Sequence, residues 1–294
     1  MNIQIMGPRF AYPETLSLFY DNAFKSLGFN TFGYCERTER WWGKEGLTPD
    51  ILLVIKGRGL DPDYPIKTRE RTKCRTVLYF PDPLEDGDNM QYIRAVRGGY
   101  QYLFLACSYP EYILERYGAK WLPVAYDPSI HRPLPAEIRK TRDVAFVGTY
   151  RLGRDFIMNL SGIEIFGNSW PRISPHSVKF QDVYLDVKAE IYQTTRIMIN
   201  HHYLNRGPNH RVLECLAMGT SLLISDNCYG FASLGFVQDR DYVYYDQPNR
   251  VPDLIREYLE DEDKANKVMR NGAEAVIPHT YRARAAVILR EMGL

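Results

Sequence analysis

The segment NHRVLECLAMGTSLLISD, from Asn209 to Asp226, places charged side chains where a predicted helix enters a protein core. Arg211 and Glu214 are three positions apart, so they share one face of that helix. Pro208 and Asn209 begin the helix, so Asn209, His210 and the free backbone amides there can point at an anion. The two charges could form only a local salt bridge, which would contribute little to stability. The functional alternative is that the helix start holds a phosphate while Glu214 accepts hydrogen bonds from ribose hydroxyls.

A second segment combines glycine with arginine directly after a predicted strand. DVAFVG is followed by TYRLGRDF, in which Gly148 precedes Arg151 and Arg154 at the start of a predicted helix. A glycine turn, a helix amino-terminus and two guanidinium groups together suit a diphosphate. Both arginines could equally be surface residues of that helix. The chain has neither G-x-G-x-x-G nor G-x-x-x-x-G-K-[ST], so dinucleotide and P-loop sites lose their usual support.

Alternating strands and helices must position these segments. The predicted strands are NIQIMG, DILLVIKG, RTVLYF, YLFLAC and AKWLPVA in the first half, then DVAFVG, IEIFGN, TRIMIN, TSLLISD and DYVYYD. Between the first two, apolar residues recur at helical spacing from Leu16 to Leu27, and Gly28 ends the pattern. This alternation predicts parallel sheets of right-handed βαβ units, once in each half. The fold class is therefore α/β, with two Rossmann-like parallel-sheet domains that face a cleft.

Composition agrees with two soluble globular domains. The 294 residues are 45% hydrophobic and 25% charged, which is enough for about two domains of ~150 residues. Two such domains in tandem place a ligand at the carboxyl ends of their strands. There Asn168, after IEIFG, could contact a base, although a plain Gly-Asn turn explains it equally well.

The cysteines, the apolar runs and the net charge indicate the cellular compartment and the kind of partner to expect. The five cysteines never form Cys-x-x-Cys, which favours reduced thiols over a disulfide framework or a zinc site. No apolar run reaches the ~20 residues of a membrane span, and the start MNIQIMGPRF does not have the pattern of a secretory signal. We therefore expect a cytoplasmic protein without a transmembrane segment. The net charge of +1 gives no global footprint for nucleic acid.

Four segments in order resemble GT-B glycosyltransferases of the group-1 type, which occur in spore-maturation-like and related families. NHRVLECLAMGTSLLISD is similar to their nucleotide-sugar motif, in which an acidic residue opens a helix before Ala-x-Gly and a strand. DVAFVGTYRLGRD resembles their strand-glycine-basic segment, LPVAYDPSIHRP their interdomain hinge, and HTYRARAAVIL their closing helix. These segments span about residues 120–294 in the order that a two-domain enzyme implies. The first half resembles the family through its strand pattern and VLYFPDP.

The resemblance implies an acceptor-side domain at residues 1–135, a nucleotide-sugar-binding domain at 136–278 and a closing helix at 279–294. It implies sugar transfer from a nucleoside-diphosphate sugar, with UDP the expected nucleotide and no cofactor besides this donor. The residues implied for donor binding are Gly148, Arg151, Arg154, Asn168, Asn209, His210, Arg211 and Glu214. One position departs from the family. Many members have a second glutamate eight positions before the ribose glutamate, where this chain has Arg206, and this leaves the donor sugar open.

Sugar transfer needs a stabilised leaving diphosphate and a base for the acceptor hydroxyl. Arg151, Arg154 and a helix amino-terminus would serve the first need without a metal, so we expect no metal site. We expect a retaining enzyme, in which the departing phosphate oxygen can act as the base. An inverting enzyme would need a side chain, for which Asp82 in YFPDPLED and His131 in SIHRP are the candidates. A Pro-Asp-Pro turn and a hinge histidine are their alternative interpretations.

One basic run could address the acceptor. KTRERTKCR, residues 67–75, has five basic residues and one acidic residue. Arg69, Arg71 and Lys73 would attract an anionic acceptor such as an acidic glycan, a lipid phosphate or the modified bases of DNA. A solvated helix face is the favoured interpretation, and the near-zero net charge makes nucleic acid the less expected partner.

Two other functions would fit the same fold. A nucleotide-sugar epimerase would be favoured by acidic residues clustered at the sugar site, and few are seen. A non-catalytic nucleotide-sugar-binding protein on a GT-B scaffold is supported by the missing acid at Arg206.

Overall fold

The computed structural model describes residues 1–8, 12–35, 38–44, 46–133, 139–171, 178–179 and 183–294. The chain forms two compact units: unit 1 comprises Met1–Asp127 and Thr280–Leu294, and unit 2 comprises Pro128–His279. The chain therefore leaves unit 1 once and returns to it near the carboxyl end. The boundary predicted between residues 135 and 136 falls within residues 134–138, outside the described residues.

Unit 1 is built around a seven-stranded sheet with the order β3-β2-β1-β4-β5-β6-β7. Its strands are β1 (Asn2–Met6), β2 (Asn30–Cys35), β3 (Arg40–Trp42), β4 (Ile51–Ile55), β5 (Arg75–Phe80), β6 (Tyr102–Leu105) and β7 (Ala119–Trp121). Its helices, numbered in chain order, are α1 (Leu16–Ser26), α2 (Tyr64–Thr72), α3 (Asn89–Val96), α4 (Glu111–Tyr117) and α9 (Tyr281–Glu291). All neighbouring strands pair in parallel except β3, which runs antiparallel to β2 at the edge.

Helices α1 and α9 pack together on unit 1. The side chain of Thr15 caps α1 by accepting a hydrogen bond from the amide of Leu18, and the apolar face predicted from the sequence is buried. The ring of Phe19 stacks on that of Tyr281 in α9 with centroids 5.0 Å apart. Arg284 of α9 donates to the carbonyl of Pro123 at 3.0 Å. Because of these contacts, α9 belongs to the core of unit 1.

Unit 2 has a six-stranded sheet, parallel throughout, with the order β10-β9-β8-β11-β12-β13. Its strands are β8 (Arg142–Val147), β9 (Ile163–Phe166), β10 (Val178–Lys179), β11 (Thr195–Asn200), β12 (Leu222–Asp226) and β13 (Val243–Tyr245). Its helices are α5 (Leu185–Thr194), α6 (His210–Met218), α7 (Val251–Glu260) and α8 (Glu262–Val276). This is the strand order of a Rossmann fold, in which ligands bind where the order reverses, here between β8 and β11.

The structure confirms the α/β fold with two parallel-sheet units and corrects three details of the sequence prediction. Strands β2, β3 and β10 were not predicted, and β3 is an antiparallel exception. The helix expected around Arg151 and Arg154 is wrong, because only a short 3-10 turn at Asp155–Asn159 forms there. The predicted helix from Leu16 and the one after Asn209 are both present.

Candidate functional site

The candidate site of unit 2 lies at the carboxyl ends of β8 and β11. These strands are neighbours, and the next strands, β9 and β12, lie on opposite sides of the pair. In open α/β sheets this reversal of strand order is where a ligand crevice forms. The loop after β8 carries residues 148–154, and the loop after β11 carries residues 201–209. Both segments singled out from the sequence therefore meet at this one place.

Two glycines allow these loops to approach each other. A Cβ atom on Gly167, after β9, would lie 2.2 Å from the carbonyl oxygen of Gly148. A Cβ atom on Gly148 would lie 2.9 Å from Nη1 of Arg211. No larger residue fits at either position without a shift of the backbone or the arginine. Gly148 thus makes room for a guanidinium group.

Arg154 and Arg211 converge beside Gly148. The guanidinium carbons lie 5.3 Å (Arg154) and 5.4 Å (Arg211) from the ring centroid of Phe146. Nη2 of Arg154 donates to the carbonyl oxygen of His201 at 3.0 Å, and Nη2 of Arg211 approaches the same oxygen at 3.4 Å. Arg211 also donates from Nε to Oδ1 of Asn200 at 3.3 Å. Two cations are therefore held side by side by neutral acceptors.

Arg154 is buried and lies close to other positive charges, and both conditions affect its pKa. Arg154 is 4% exposed, and its buried Nε has no hydrogen-bond partner in the described part of the chain. Burial, followed by the nearby charges of Arg211 and Arg151, lowers the pKa of Arg154 to about 9. An anion at this place would relieve the repulsion and satisfy the guanidinium groups, so the arrangement suits a phosphate or diphosphate.

The other donor-site candidates surround this pair. Arg151 is exposed, and its guanidinium carbon lies 5.6 Å from the ring centroid of Tyr203. Asn168 is half-buried, and its carbonyl accepts a hydrogen bond from the amide of Tyr150 at 3.0 Å. Since the predicted helix after β8 does not form, the guanidinium groups themselves supply the positive charge on this side.

The start of α6 is held by Asn209. Its Oδ1 accepts a hydrogen bond from the amide of Val212 at 3.3 Å, and its Nδ2 donates to Oδ1 of Asn200 at 2.9 Å. The Asn209 side chain is thus an N-cap tied to the end of β11. Cap and strand end together fix where Arg211 points.

Glu214 lies in a buried charge cluster, and its carboxylate contacts side chains other than Arg211. It is 3% exposed and is the fifth residue of α6, so it lies on the second turn of the helix. One carboxylate oxygen, Oε2, lies 3.0 Å from Nζ of Lys188 and accepts from Tyr192 at 3.3 Å. Oε1 lies 3.3 Å from Nε2 of His131. Glu214 therefore neutralises a buried lysine on α5 and holds His131.

The ionisation of this cluster is set by its charges. Burial alone would raise the pKa of Glu214, but Lys188 and His131 outweigh burial and hold the pKa well below its usual value. Burial, with the charges of Lys188 and His131, lowers the pKa of His210 to about 4 in spite of Glu214. Glu214 is thus ionised and His210 neutral near pH 7.

Comparison with known proteins identifies the class. Residues 149–290, about half of the chain, match the family described as "Glycosyl transferase-like". This protein is a GT-B glycosyltransferase. No curated protein matches the sequence. The match lends no support to the epimerase or the non-catalytic alternative, and it does not test the narrower spore-maturation-like assignment.

Solved structures share the fold of the glycosyltransferase over its whole length. Sucrose-phosphate synthase from Thermosynechococcus elongatus is 11% identical, with a TM-score of 0.70 over 99% of this chain and 98% of that one. Anabaena HepE, solved in complex with UDP and glucose, is 11% identical, with a TM-score of 0.69 over 100% and 99%. The DNA-modifying β-glucosyltransferase is 11% identical, with a TM-score of 0.62 over 100% of both chains.

Sequence reasoning missed four polar residues of the glycosyltransferase site: Lys188, His201, His202 and Asp226. His201 and His202 directly follow β11, and Asp226 ends β12. The rule that pointed to Arg151 and Asn168, that informative residues follow strands, would also have found these three. Lys188 gives no such signal, because it lies on a helix 26 positions before Glu214.

In unit 1, the candidate base and the basic run occupy opposite ends of β5. Asp82 follows β5 and forms an ion pair with Lys56, Oδ2 to Nζ 2.5 Å, at the end of β4. Arg69 and Arg71 lie in the last turn of α2, and Lys73 caps that helix before β5 begins. A strand of six residues spans roughly 20 Å, so the structure does not bring the basic run to Asp82.

Four Asp-x-Asp pairs occur in the sequence, and partners in the chain account for each. Lys67 lies near both Asp61 and Asp63 at the start of α2, at 3.1 and 3.8 Å. In the pair at 86–88, Asp88 contacts Arg58 at 2.7 Å. In the pair at 239–241, Asp241 contacts Arg240 at 2.7 Å. The pair at 261–263 caps α8.

None of the helices described is long and apolar enough to cross a membrane.

Proposed function

We propose that this glycosyltransferase takes its sugar from a UDP-sugar whose diphosphate binds Arg154 and Arg211, with Arg151 at the edge. The observation that carries the proposal is the pair of guanidinium groups, which pack on Phe146 and, among the described residues, donate hydrogen bonds to neutral acceptors. Guanidinium groups match the geometry of phosphate oxygens and stabilise the charge that grows as the diphosphate leaves. This charge supports transfer without a metal.

The nucleotide is proposed as UDP. HepE, which shares the fold, was solved with UDP and with UDP-glucose. Asn168, at the end of β9, is proposed to lie at the base, and Glu214 at the ribose. The His131 contact to Glu214 would have to open to admit ribose hydroxyls, because both side chains are buried. Lys188 can keep its contact, since a carboxylate has about four acceptor positions.

A thermal-shift panel of UDP-, GDP-, dTDP- and ADP-sugars tests the donor. A ligand at about 100 times its dissociation constant adds about 2.7 kcal/mol to the stability of the folded state. We expect a UDP-sugar to give the largest shift. A larger shift with another nucleotide would disprove the UDP assignment, and no shift with any of the four would disprove the donor site.

For the chemical step we propose retention of configuration. Oδ2 of Asp82 already holds the ammonium group of Lys56, which supports a role in orienting the acceptor in place of removing its proton. The proton would then pass to the departing phosphate oxygen. NMR of UDP-glucose hydrolysis without an added acceptor should show α-glucose as the first product. β-glucose as the first product would show inversion and return Asp82 to the role of base.

For the acceptor we propose a site at Lys56 and Asp82. Lys56 has φ of 65°, a left-handed conformation that costs a non-glycine residue free energy and is found at functional sites. It also follows β4, at the strand end where ligands bind in open α/β sheets. The basic run of residues 67–75 lies at the other end, where basic side chains complement the carboxyl-terminus of α2.

Substitutions at Lys56 and in the basic run distinguish the two candidate acceptor sites. A screen of glycan, lipid-phosphate and modified-DNA acceptors would first supply a substrate. Lys56→Gln should then raise the acceptor KM about tenfold, the scale of one charge-assisted hydrogen bond. The matched control replaces Arg69, Arg71 and Lys73 together with glutamine and should leave KM unchanged. A raised KM and a flattened salt dependence in the triple variant, with Lys56→Gln unaffected, would assign the acceptor to the basic run.

A further inference from the structure

Asp226 anchors two consecutive histidines at the end of β11. Its Oδ1 lies 2.7 Å from Nδ1 of His202, and its Oδ2 lies 3.2 Å from Nδ1 of His201. The backbone amide of His202 donates to both carboxylate oxygens, at 3.1 and 3.0 Å. Burial would raise the pKa of Asp226, but the hydrogen bonds from the two histidines outweigh it and hold the pKa below its usual value. Asp226 is therefore a fixed negative charge behind both rings.

The neighbours of His201 determine which ring nitrogen carries the proton in the neutral form. The hydroxyl of Tyr245 donates its single hydrogen to the carbonyl oxygen of Asn200 at 2.9 Å. Toward Nδ1 of His201, 2.9 Å away, that hydroxyl can therefore only accept. Asp226 is also an acceptor, so Nδ1 must carry a hydrogen. In the neutral ring Nε2 is then without a proton and can become a donor only when the ring gains a second proton.

Nε2 of His201 faces the loop that carries the arginines. It lies 3.6 Å from where a Cβ atom on Gly153 would be, and Gly153 directly precedes Arg154. The backbone carbonyl of the same His201 accepts from Arg154 and is approached by Arg211. The ring is one-fifth exposed and packs edge to face on Phe156 at 5.2 Å. One histidine thus holds the arginine pair through its backbone and presents to the same loop a ring nitrogen that forms no hydrogen bond given for the described residues.

We propose that His201 is a further catalytic residue, a cation that forms when the donor binds and that donates Nε2–H to the diphosphate. This inference rests on the proposed diphosphate site. As the bond between the anomeric carbon and oxygen breaks, its electron pair passes to the leaving phosphate oxygen. His201 keeps its proton and stabilises that charge, while the acceptor hydroxyl supplies the proton that the leaving group takes up. Asp226 balances the imidazolium from behind.

The charges around His201 make this protonation depend on the ligand. Arg154, Arg211 and Arg151 disfavour a second proton on the ring while the site is empty, and Asp226 favours it. The two negative charges of a bound diphosphate tip this balance toward the imidazolium. Tyr245 stays neutral because burial raises its pKa, and burial lowers the pKa of His202. The added proton is therefore assigned to His201 and not to these two neighbours.

The proposal predicts a proton taken up on donor binding, and hence weaker binding at higher pH. Both phosphates of UDP-glucose are diesters, so the charge of this probe does not change between about pH 6 and pH 8. By linkage, uptake of one proton weakens affinity by at most about tenfold for each pH unit. Isothermal titration of UDP-glucose into the wild-type protein, in buffers of different ionisation enthalpy, measures both the affinity and the proton count.

Two variants distinguish a titrating cation from a structural side chain. His201→Gln can place an amide N–H near the position of Nε2 but cannot gain charge, so it should bind UDP-glucose with no pH dependence and lower kcat at pH 6. His201→Asn reproduces only the Nδ1 side and should lose both donor affinity and its pH dependence. A pH slope retained in His201→Gln, or wild-type binding without proton uptake, would overturn the proposal. Because proton uptake is measured on the wild type, the test does not depend on any variant folding. If the wild-type protein does not bind UDP-glucose at all between about pH 6 and pH 8, the diphosphate site and this inference are both refuted.

Discussion

Replacement of Arg154 by alanine is expected to lower kcat by about 100- to 1,000-fold, the scale measured when one preorganised donor to a developing charge is removed. Charge on the leaving diphosphate grows in the transition state, so the loss should fall more on turnover than on binding of the ground state. Affinity for uridine, which has no phosphate, should be nearly unchanged. Kinetics with UDP-glucose and titration with uridine and UDP measure the three quantities.

A matched control separates this effect from the loss of any arginine in unit 2. Arg256 is 66% exposed and contacts only Asp253 among the ion pairs described. Arg256→Ala should leave kcat and uridine affinity unchanged. Wild-type turnover in Arg154→Ala would mean that the loop after β8 is structural and that the diphosphate binds elsewhere. An equal loss of uridine and UDP affinity would mean that the substitution has disturbed the fold.

Glu214→Ala is expected to lower the free energy of unfolding by about 3–5 kcal/mol, the cost of removing one partner of a buried ion pair. Lys188 would lose this partner, since it is buried and its Nζ lies 3.0 Å from Glu214. Chemical denaturation followed by circular dichroism measures the effect. Glu260→Ala, on the exposed end of α7, is the control and should change stability by no more than about 0.5 kcal/mol.

A double variant decides whether the buried charge is the cause. Glu214→Ala with Lys188→Met removes both charges and should recover a large part of the lost stability. The same protein tests the ribose assignment. The wild type should bind 2′-deoxy-UDP more weakly than UDP, by about 1–3 kcal/mol, and the double variant should not distinguish them. If it distinguishes them as well as the wild type does, Glu214 has a structural role only.

The strands that the sequence did not predict have physical reasons for escaping notice. β2 contains Gly33, which weakens its strand pattern, yet a Cβ atom there would lie 1.9 Å from the carbonyl oxygen of Ile5. The glycine is required because β1 and the ring of Trp42 approach this closely. β3 and β10 have three and two residues, too few for any periodicity. β4, by contrast, was predicted because all five of its residues are apolar, and all five are buried.

The site was only partly predictable from the sequence. Residue spacing indicates local geometry but not which distant segments pack together. Arg154 and Arg211 were each placed after a strand of one sheet, and the structure brings both to Phe146. The pairing of Glu214 with Lys188 depends on how α5 packs beside α6, which no local pattern encodes. The helix expected after β8 was wrong: the carbonyl oxygen of Thr149 accepts a hydrogen bond from the side chain of Arg154, and the chain continues as a 3-10 turn.

Because α9 belongs to unit 1, the order of translation determines which unit can complete its fold first. A ribosome completes unit 2, residues 128–279, before it makes α9. Until then Phe19 and Tyr20 of α1 lack Tyr281, the aromatic ring that covers them in the finished protein. Unit 1, which is synthesised first, therefore completes its fold only after unit 2 has been made. Until then it exposes an aromatic, apolar surface that a chaperone can recognise.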